Sequence, residues 1–207
     1  MGTEPTDEQL MLAFQRGDAR AFELLVRRHR GAVFQFLLRS VGERGRAEDL
    51  LQETWLKVVR GAAAWEPKAR FTTWVYTMAR NLCVDESRRA THRRAAPGAP
   101  GGDGAEEGPP LSERARDEGA APDRAVHNVR LRPLLERALA GLPPEQREVF
   151  ILREYSGVPF KDISEVTGVP EPTVKSRMRY ALEGLRAQLA ALGVDGDMAG
   201  DARRVNG

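Results

Sequence analysis

The sequence predicts an all-α protein: two small helical domains joined by a flexible linker, the C-terminal one a helix-turn-helix. Three observations carry this. Apolar residues recur at helical spacing on both sides of the chain's middle, with no strand-like alternation and no repeat. Between 95 and 123 the composition collapses to seven Ala, six Gly and five Pro among 29 residues, with no aromatic or β-branched side chain. Near the C-terminus, a short striped helix runs into a glycine turn and then into a helix with a basic outer face.

In chain order, a helix around Glu8 to Gln15 comes first. Asp18 caps a long second helix with a stripe of Phe22, Leu25, Val26, His29, Val33, Phe36 and Leu37, and Gly42 ends it. A third, from about Arg46 to Arg60, places Leu50, Leu51, Trp55, Val58 and Val59 inward and stops at Gly61. A fourth starts after Thr72, buries Trp74, Val75, Met78, Ala79 and Leu82, and ends near Arg89. These make up a first domain, 1–94. The segment 95–127 follows as linker: from 95 to 123 seven acids oppose two arginines, and so little apolar surface cannot offset the entropy of ordering the chain.

The second domain, 128–192, opens with a helix over Leu131 to Leu139. Leu142-Pro143-Pro144-Glu145 starts the next, which carries Phe150, Ile151 and Leu152 and ends at Gly157. Phe160, Ile163 and Val166 stripe a short helix, and Gly168 makes the turn. Thr173 is the expected N-cap of the last helix, with Pro170 and Pro172 before it; Val174, Met178, Ala181, Leu185 and Leu189 face inward. Its outer face carries Lys175, Ser176, Arg177, Arg179 and Tyr180, a surface suited to a DNA groove. Residues 193–207 are a tail.

Overall charge is near balance, with 32 basic and 30 acidic residues, so basic patches rather than net charge are informative. The single cysteine, Cys83, excludes an internal disulfide and reads as a small buried hydrophobe. His29, His92 and His127 lack metal-ligand spacing, and no carboxylates cluster for metal-assisted hydrolysis, so no metal, cofactor or catalytic residue is expected. No apolar run approaches the roughly 20 residues needed to span a bilayer, and no signal-peptide pattern opens the chain. A cytoplasmic protein without membrane insertion is expected.

Three ordered stretches then carry a resemblance: RAEDLLQETWLKV (Arg46 to Val58), FTTWVYTMARNLCVDESRR (Phe71 to Arg89) and LPPEQREVFILREYSGVPFKDISEVTGVPEPTVKSRMRYALEGLR (Leu142 to Arg186). Together they resemble bacterial RNA polymerase sigma factors of the extracytoplasmic-function group in the sigma-70 family. The match covers roughly Gln9 to Arg89 and Asn128 to Leu192. It implies a dissociable subunit of core RNA polymerase that recognises −10 and −35 promoter elements, and an anti-sigma factor as a further partner.

The resemblance assigns residues. Glu48, Asp49, Gln52 and Glu53 would contact a coiled coil on the polymerase's largest catalytic subunit; the alternative for Glu48 and Asp49 is an acidic first turn complementing the helix dipole. Tyr76, Arg80, Asn81, Arg88 and Arg89 would meet the melted −10 strand, combining base-reading groups with a phosphate track. GAAAWEPKAR (Gly61 to Arg70) resembles the loop that pockets a flipped base, with Lys68 and Arg70 in it; Trp65 is either a wall of that pocket or a lid on the domain. Lys175, Ser176 and Arg177 would read the −35 duplex, with Thr173 and Arg179 on phosphates. Where the family often has Gly, this chain has Pro172. A stand-alone helix-turn-helix regulator is the alternative, but the sequence shows no spare heptad seam for dimerisation, and the acidic helix would go unexplained.

Overall fold

The computed structural model describes residues 4–95 and 122–194, and every regular element among them is helical. Most of the expected linker lies outside the described residues. The chain groups into two compact units, one of Met1–Gly101 with Ile151–Lys175, the other of Gly102–Phe150 with Ser176–Gly207.

The first unit is built on α2 (Ala19–Val41), which packs against α1 (Asp7–Gln15), α3 (Arg44–Gly61) and α4 (Phe71–Ala95). Asp18 caps α2 by accepting the Arg20 and Ala21 amides, and Gly42 closes it in the left-handed region at φ 78°, as the sequence predicts. Leu25, Val33, Phe36 and Leu37 of α2 are fully buried beside Met11, Leu50, Val58, Phe71 and Val75. Truncating a ring such as Phe36 in a core this dense costs about 3–5 kcal/mol. α1 is better specified than its sequence suggests: Thr6 and Gln9 form a reciprocal capping box. α4 starts earlier than expected because the Glu8 carboxylate accepts the Phe71 amide at 3.2 Å, satisfying an N-terminal donor.

The same unit includes Ile151–Lys175, which the sequence groups with the C-terminal domain. α6 (Pro144–Phe150) does not run on through Ile151 and Leu152 as an α-helix. A π-turn, Ile151–Tyr155, replaces it, and the Ser156 amide reaches the Ile151 carbonyl at 3.2 Å. This turn buries Ile151 and Leu152 and sets the Tyr155 ring 3.8 Å beneath the Arg39 guanidinium. α7 (Phe160–Thr167) buries Ile163 and Val166, packs against α4, and ends at Gly168, φ 72°. The Ser164 hydroxyl donates to the Val169 carbonyl at 2.6 Å and braces the turn.

α8 (Glu171–Ala191) begins two residues before the expected cap. The Pro170 carbonyl accepts the Thr173 and Val174 amides at 2.8 and 3.1 Å, so Thr173 and Pro172 lie inside the first turn rather than ahead of it. Proline is tolerated there because no N–H is needed. In the second unit, α5 (Pro122–Ala140) starts at Pro122 rather than at Leu131, inside the segment expected as linker. Ala138, Leu139, Leu142, Val149, Met178, Ala181 and Leu185 are buried. Gly184 permits a close approach: a Cβ there would stand 2.7 Å from Leu142.

α1 is tied to α2 through Asp7, whose carboxylate accepts from Arg28 at 2.5 Å and lies 2.7 Å from His29 Nε2. Burial alone would raise the Asp7 carboxyl, but the hydrogen bonds from His29 and Arg28, then their charges, outweigh it and hold it below the ordinary 3.8. A depressed folded value means the stabilisation is complete above the unfolded value and lost as pH falls through the folded one. Asp7→Asn should therefore cost about 1 kcal/mol at neutral pH, screening of a partly exposed pair included. In urea titrations followed by circular dichroism, the gap between variant and parent should close as the pH drops below 3.8.

Candidate nucleic-acid interface

α3 divides cleanly. Ala47, Leu50, Leu51, Thr54, Trp55 and Val58 are buried, while Glu48, Asp49, Gln52 and Glu53 are exposed on the other side. Glu48 and Asp49 make i,i+4 and i,i+3 pairs with Arg44 at 3.0 Å and Arg46 at 3.5 Å. Such exposed pairs are worth only about 0.3–0.5 kcal/mol, so either carboxylate is available to a partner. Val59, expected inside, is 43% exposed, and Leu56 is 53% exposed; both extend the acidic stripe with apolar surface.

α4 carries its polar groups outward in the same manner. Asn81, Arg88 and Arg89 are exposed and Arg80 is half-buried, against a buried row of Phe71, Val75, Ala79, Leu82 and Glu86. Arg46 of α3 bonds to Glu86, and that hydrogen bond is the main reason its guanidinium is held above its usual value. The link ties α4 to α3. A cleft of about 380 Å³ between these helices is lined by Lys57, Arg60, Met78, Asn81, Leu82 and Asp85. Lys57 and Arg60 were not singled out by sequence reasoning; their signal is their place four and seven residues after Glu53, on the side of α3 that lines the cleft with Asn81.

Two expected DNA contacts are corrected. Tyr76 is 2% exposed, with its ring edge-on to Phe36 at 5.6 Å, so it belongs to the core and presents no face to a base. Its hydroxyl lies near that of Ser156, yet neither makes a well-formed hydrogen bond. Trp65 is 6% exposed and packs against Trp74 at 6.4 Å, so of the two readings open to it the lid is the one observed. Trp74, expected as core, is half-buried, as is Cys83. The loop's charges stay outside: Lys68 pairs with Glu66, and Arg70 lies 3.6 Å from the buried Asp162 carboxylate.

On α8, Val174, Met178, Ala181 and Leu185 are buried, while Thr173, Lys175, Ser176, Arg179 and Tyr180 are exposed and Arg177 is half-buried. Lys175 pairs with Glu171 at 2.7 Å and Arg179 with Glu183 at 3.9 Å, both one turn apart and exposed. The Arg179 guanidinium lies 4.8 Å over the Tyr180 ring. Among the described residues there is no cluster of His, Cys, Asp or Glu fit to hold a metal, and no helix long and apolar enough to cross a membrane.

Helices α3 and α4 with outward polar faces, followed in the chain by a short helix, a left-handed glycine turn and a helix with a basic outer face, define an all-helical DNA-binding protein. The comparisons name the family. The model for Sigma-70 region 2 matches residues 25–93 and that for Sigma-70, region 4 matches residues 132–185. The chain is 30% identical to the RNA polymerase sigma-H factor of Pseudomonas aeruginosa, over 93% of this chain and 98% of that protein. It is 32% identical to the ECF RNA polymerase sigma factor SigE of Mycolicibacterium smegmatis, over 90% and 70% respectively. Its fold is similar to that of the sigma factor RpoE solved with the anti-sigma factor NepR from Bartonella quintana, with a TM-score of 0.66, 22% identity, and coverage of 83% and 98%. The chain belongs to the extracytoplasmic-function group of the sigma-70 family, the factors that direct transcription initiation from promoters.

The correction at Tyr76 is testable. Burial pushes its hydroxyl up to about 12 from 10.0, with Ser156 partly opposing. A raised folded value means the contribution to stability is intact below pH 10 and lost as pH rises toward 12. Tyr76→Phe should keep the fold, leave single-stranded −10 DNA binding within about twofold of the parent, and remove this alkaline loss; Tyr76→Ala should cost about 3–5 kcal/mol. A fluorescence-anisotropy titration in which Tyr76→Phe loses binding at unchanged melting temperature would restore the base-reading role.

Proposed function

We propose that this chain is the promoter-specificity subunit of a bacterial RNA polymerase, acting in the cytoplasm and leaving catalysis to the core enzyme. The observation that carries the reading is the outward basic face of α8, displayed directly after the Gly168 turn. Arg177, Lys175 and Ser176 read the −35 duplex from this face, with Thr173 and Arg179 on the flanking phosphates and Tyr180 beside them. An arginine bidentate to guanine O6 and N7 supplies about 1–3 kcal/mol of discrimination.

Asn81 reads an unpaired base of the −10 strand, and Arg80, Arg88 and Arg89 follow its backbone. Lys57 and Arg60 across the cleft add phosphate contacts on the same side. The exposed loop from Glu66 to Arg70 receives a flipped base, with Lys68 and Arg70 as its charges; Arg70 exchanges Asp162 for a phosphate. Glu48, Asp49, Gln52 and Glu53, extended by Leu56 and Val59, dock on the coiled coil of the largest polymerase subunit. Residues 1–94 and 128–192 act as the two promoter-reading domains, joined by the acidic segment 95–127. An anti-sigma factor completes the partners, a reading supported by the fold shared with a sigma factor solved in such a complex.

Run-off transcription with core polymerase on genomic fragments, with mapped start sites, tests the reading. Arg177→Ala should lower −35-dependent initiation about tenfold. Asn81→Ala should impair opening at duplex promoters, and templates pre-melted over the −10 should restore initiation only in part. Starts unchanged when the protein is left out, or no association with core enzyme, would overturn the function; full activity of both variants would overturn the assignments.

A further inference from the structure

The loop read above as a base pocket is held at both ends by one helix that the family match leaves out. The region 2 match starts at residue 25, after all of α1. At the near end, the single side-chain amide of Gln15, the last residue of α1, donates to both the Ala62 and the Trp65 carbonyls at 2.7 Å. The Trp65 amide also reaches the Ala62 carbonyl, at 3.1 Å, so Gln15 locks a closed turn. At the far end, Glu8 of the same helix caps Phe71, where α4 starts. Between these points Glu66, Pro67, Lys68, Ala69 and Arg70 are all exposed.

Glu8 and Gln15 are seven residues apart, two helical turns on one face, so their anchors stand roughly 10 Å apart along α1. Six residues from Trp65 to Phe71 would reach about 20 Å if extended. The loop is therefore held bowed outward rather than stretched across the gap. α1 itself is fixed to α2 through Asp7 with Arg28 and His29, so the gauge does not slide.

We infer that α1 sets the span of the base-receiving loop, with Gln15 and Glu8 as positioning residues that determine how sharply the loop discriminates between bases. This rests on the loop reading under Proposed function. Neither side chain reads DNA. Each holds backbone in place, and a base pocket displaced by about an ångström loses selectivity before it loses the phosphate contacts made by long, adaptable cations.

The test uses holoenzyme, assembled from the full chain and core polymerase, on templates pre-melted over a mapped −10 element. The non-template strand carries each of the four bases in turn at each melted position, and the readout is the ratio of best to worst initiation rate. Gln15→Ala, and Gln15→Glu, which keeps the shape but cannot donate, should each lower that ratio about threefold or more at one position. Rates on the best base, dependence on the −35 element and the melting temperature should stay near those of the parent. Glu8→Ala should act likewise, while Glu8→Gln, which still accepts the Phe71 amide, should restore the ratio. If the parent discriminates and both Gln15 variants keep its ratio, the inference falls alone. A ratio lost only together with a melting temperature lowered by more than about 5 °C also overturns it, since that marks a role in folding. If the parent shows no base preference at any position, the reading of the loop falls, and this inference with it.

Discussion

The arrangement depends on one constraint: each helix has a single face to bury, and the 3.6-residue period then decides which side chains remain on display. α2 enforces it for the first unit, because α1, α3 and α4 all pack against its buried seam of Leu25, Val33, Phe36 and Leu37. With Leu50, Trp55 and Val58 turned toward that seam, Asp49, Gln52, Glu53 and Leu56 must face away. The same argument on α8 turns Val174, Met178 and Ala181 inward and leaves Lys175, Ser176 and Arg179 outside. Functional surfaces here are the remainder after burial.

Electrostatics keep those surfaces exchangeable. The pairs Arg44–Glu48, Lys175–Glu171 and Arg179–Glu183 each join residues one turn apart in exposed positions. They order the side chains at a cost of only a few tenths of a kcal/mol when a partner replaces them. The less exposed pairs differ in kind. Arg46 with Glu86 and Asp7 with Arg28 and His29 join separate helices with little water around the carboxylate, and so set helix positions. Separating framework from displayed charge in this way allows binding without repacking.

Much of this was legible in the residues. Asp18, Gly42 and Gly168 occupy the places that capping and left-handed turns demand, and the stripes of α2 and α8 were read nearly as they pack. The misses share a cause. Tyr76 and Asn81 are both polar-capable groups on α4, and composition does not tell which is buried; the answer came from Phe36 on one side and the 151–175 segment on the other. Trp65 was ambiguous because a loop tryptophan has no period to orient it. Thr173 looked like a cap, but the Pro170 carbonyl had already begun the helix. The π-turn had no local signal, since Ile151 and Leu152 suit an α-helix equally well.

α1 shows where pattern reading stops and tertiary chemistry takes over. Leu10 and Met11 are its buried residues, and the sequence reading gave this helix no more than its approximate bounds. The partners of Glu8 and Gln15 are backbone groups 47 to 63 residues further on. Backbone carbonyls and amides leave no trace in composition, so a side chain that acts on them is invisible until the chain closes. The N-terminal donor at Phe71 and the carbonyls at Ala62 and Trp65 had to find partners, since loop backbone without hydrogen bonds is costly to hold in one shape. α1 supplies those partners, and an exposed loop thereby gains a defined span without a side chain of its own in the core between Glu66 and Arg70.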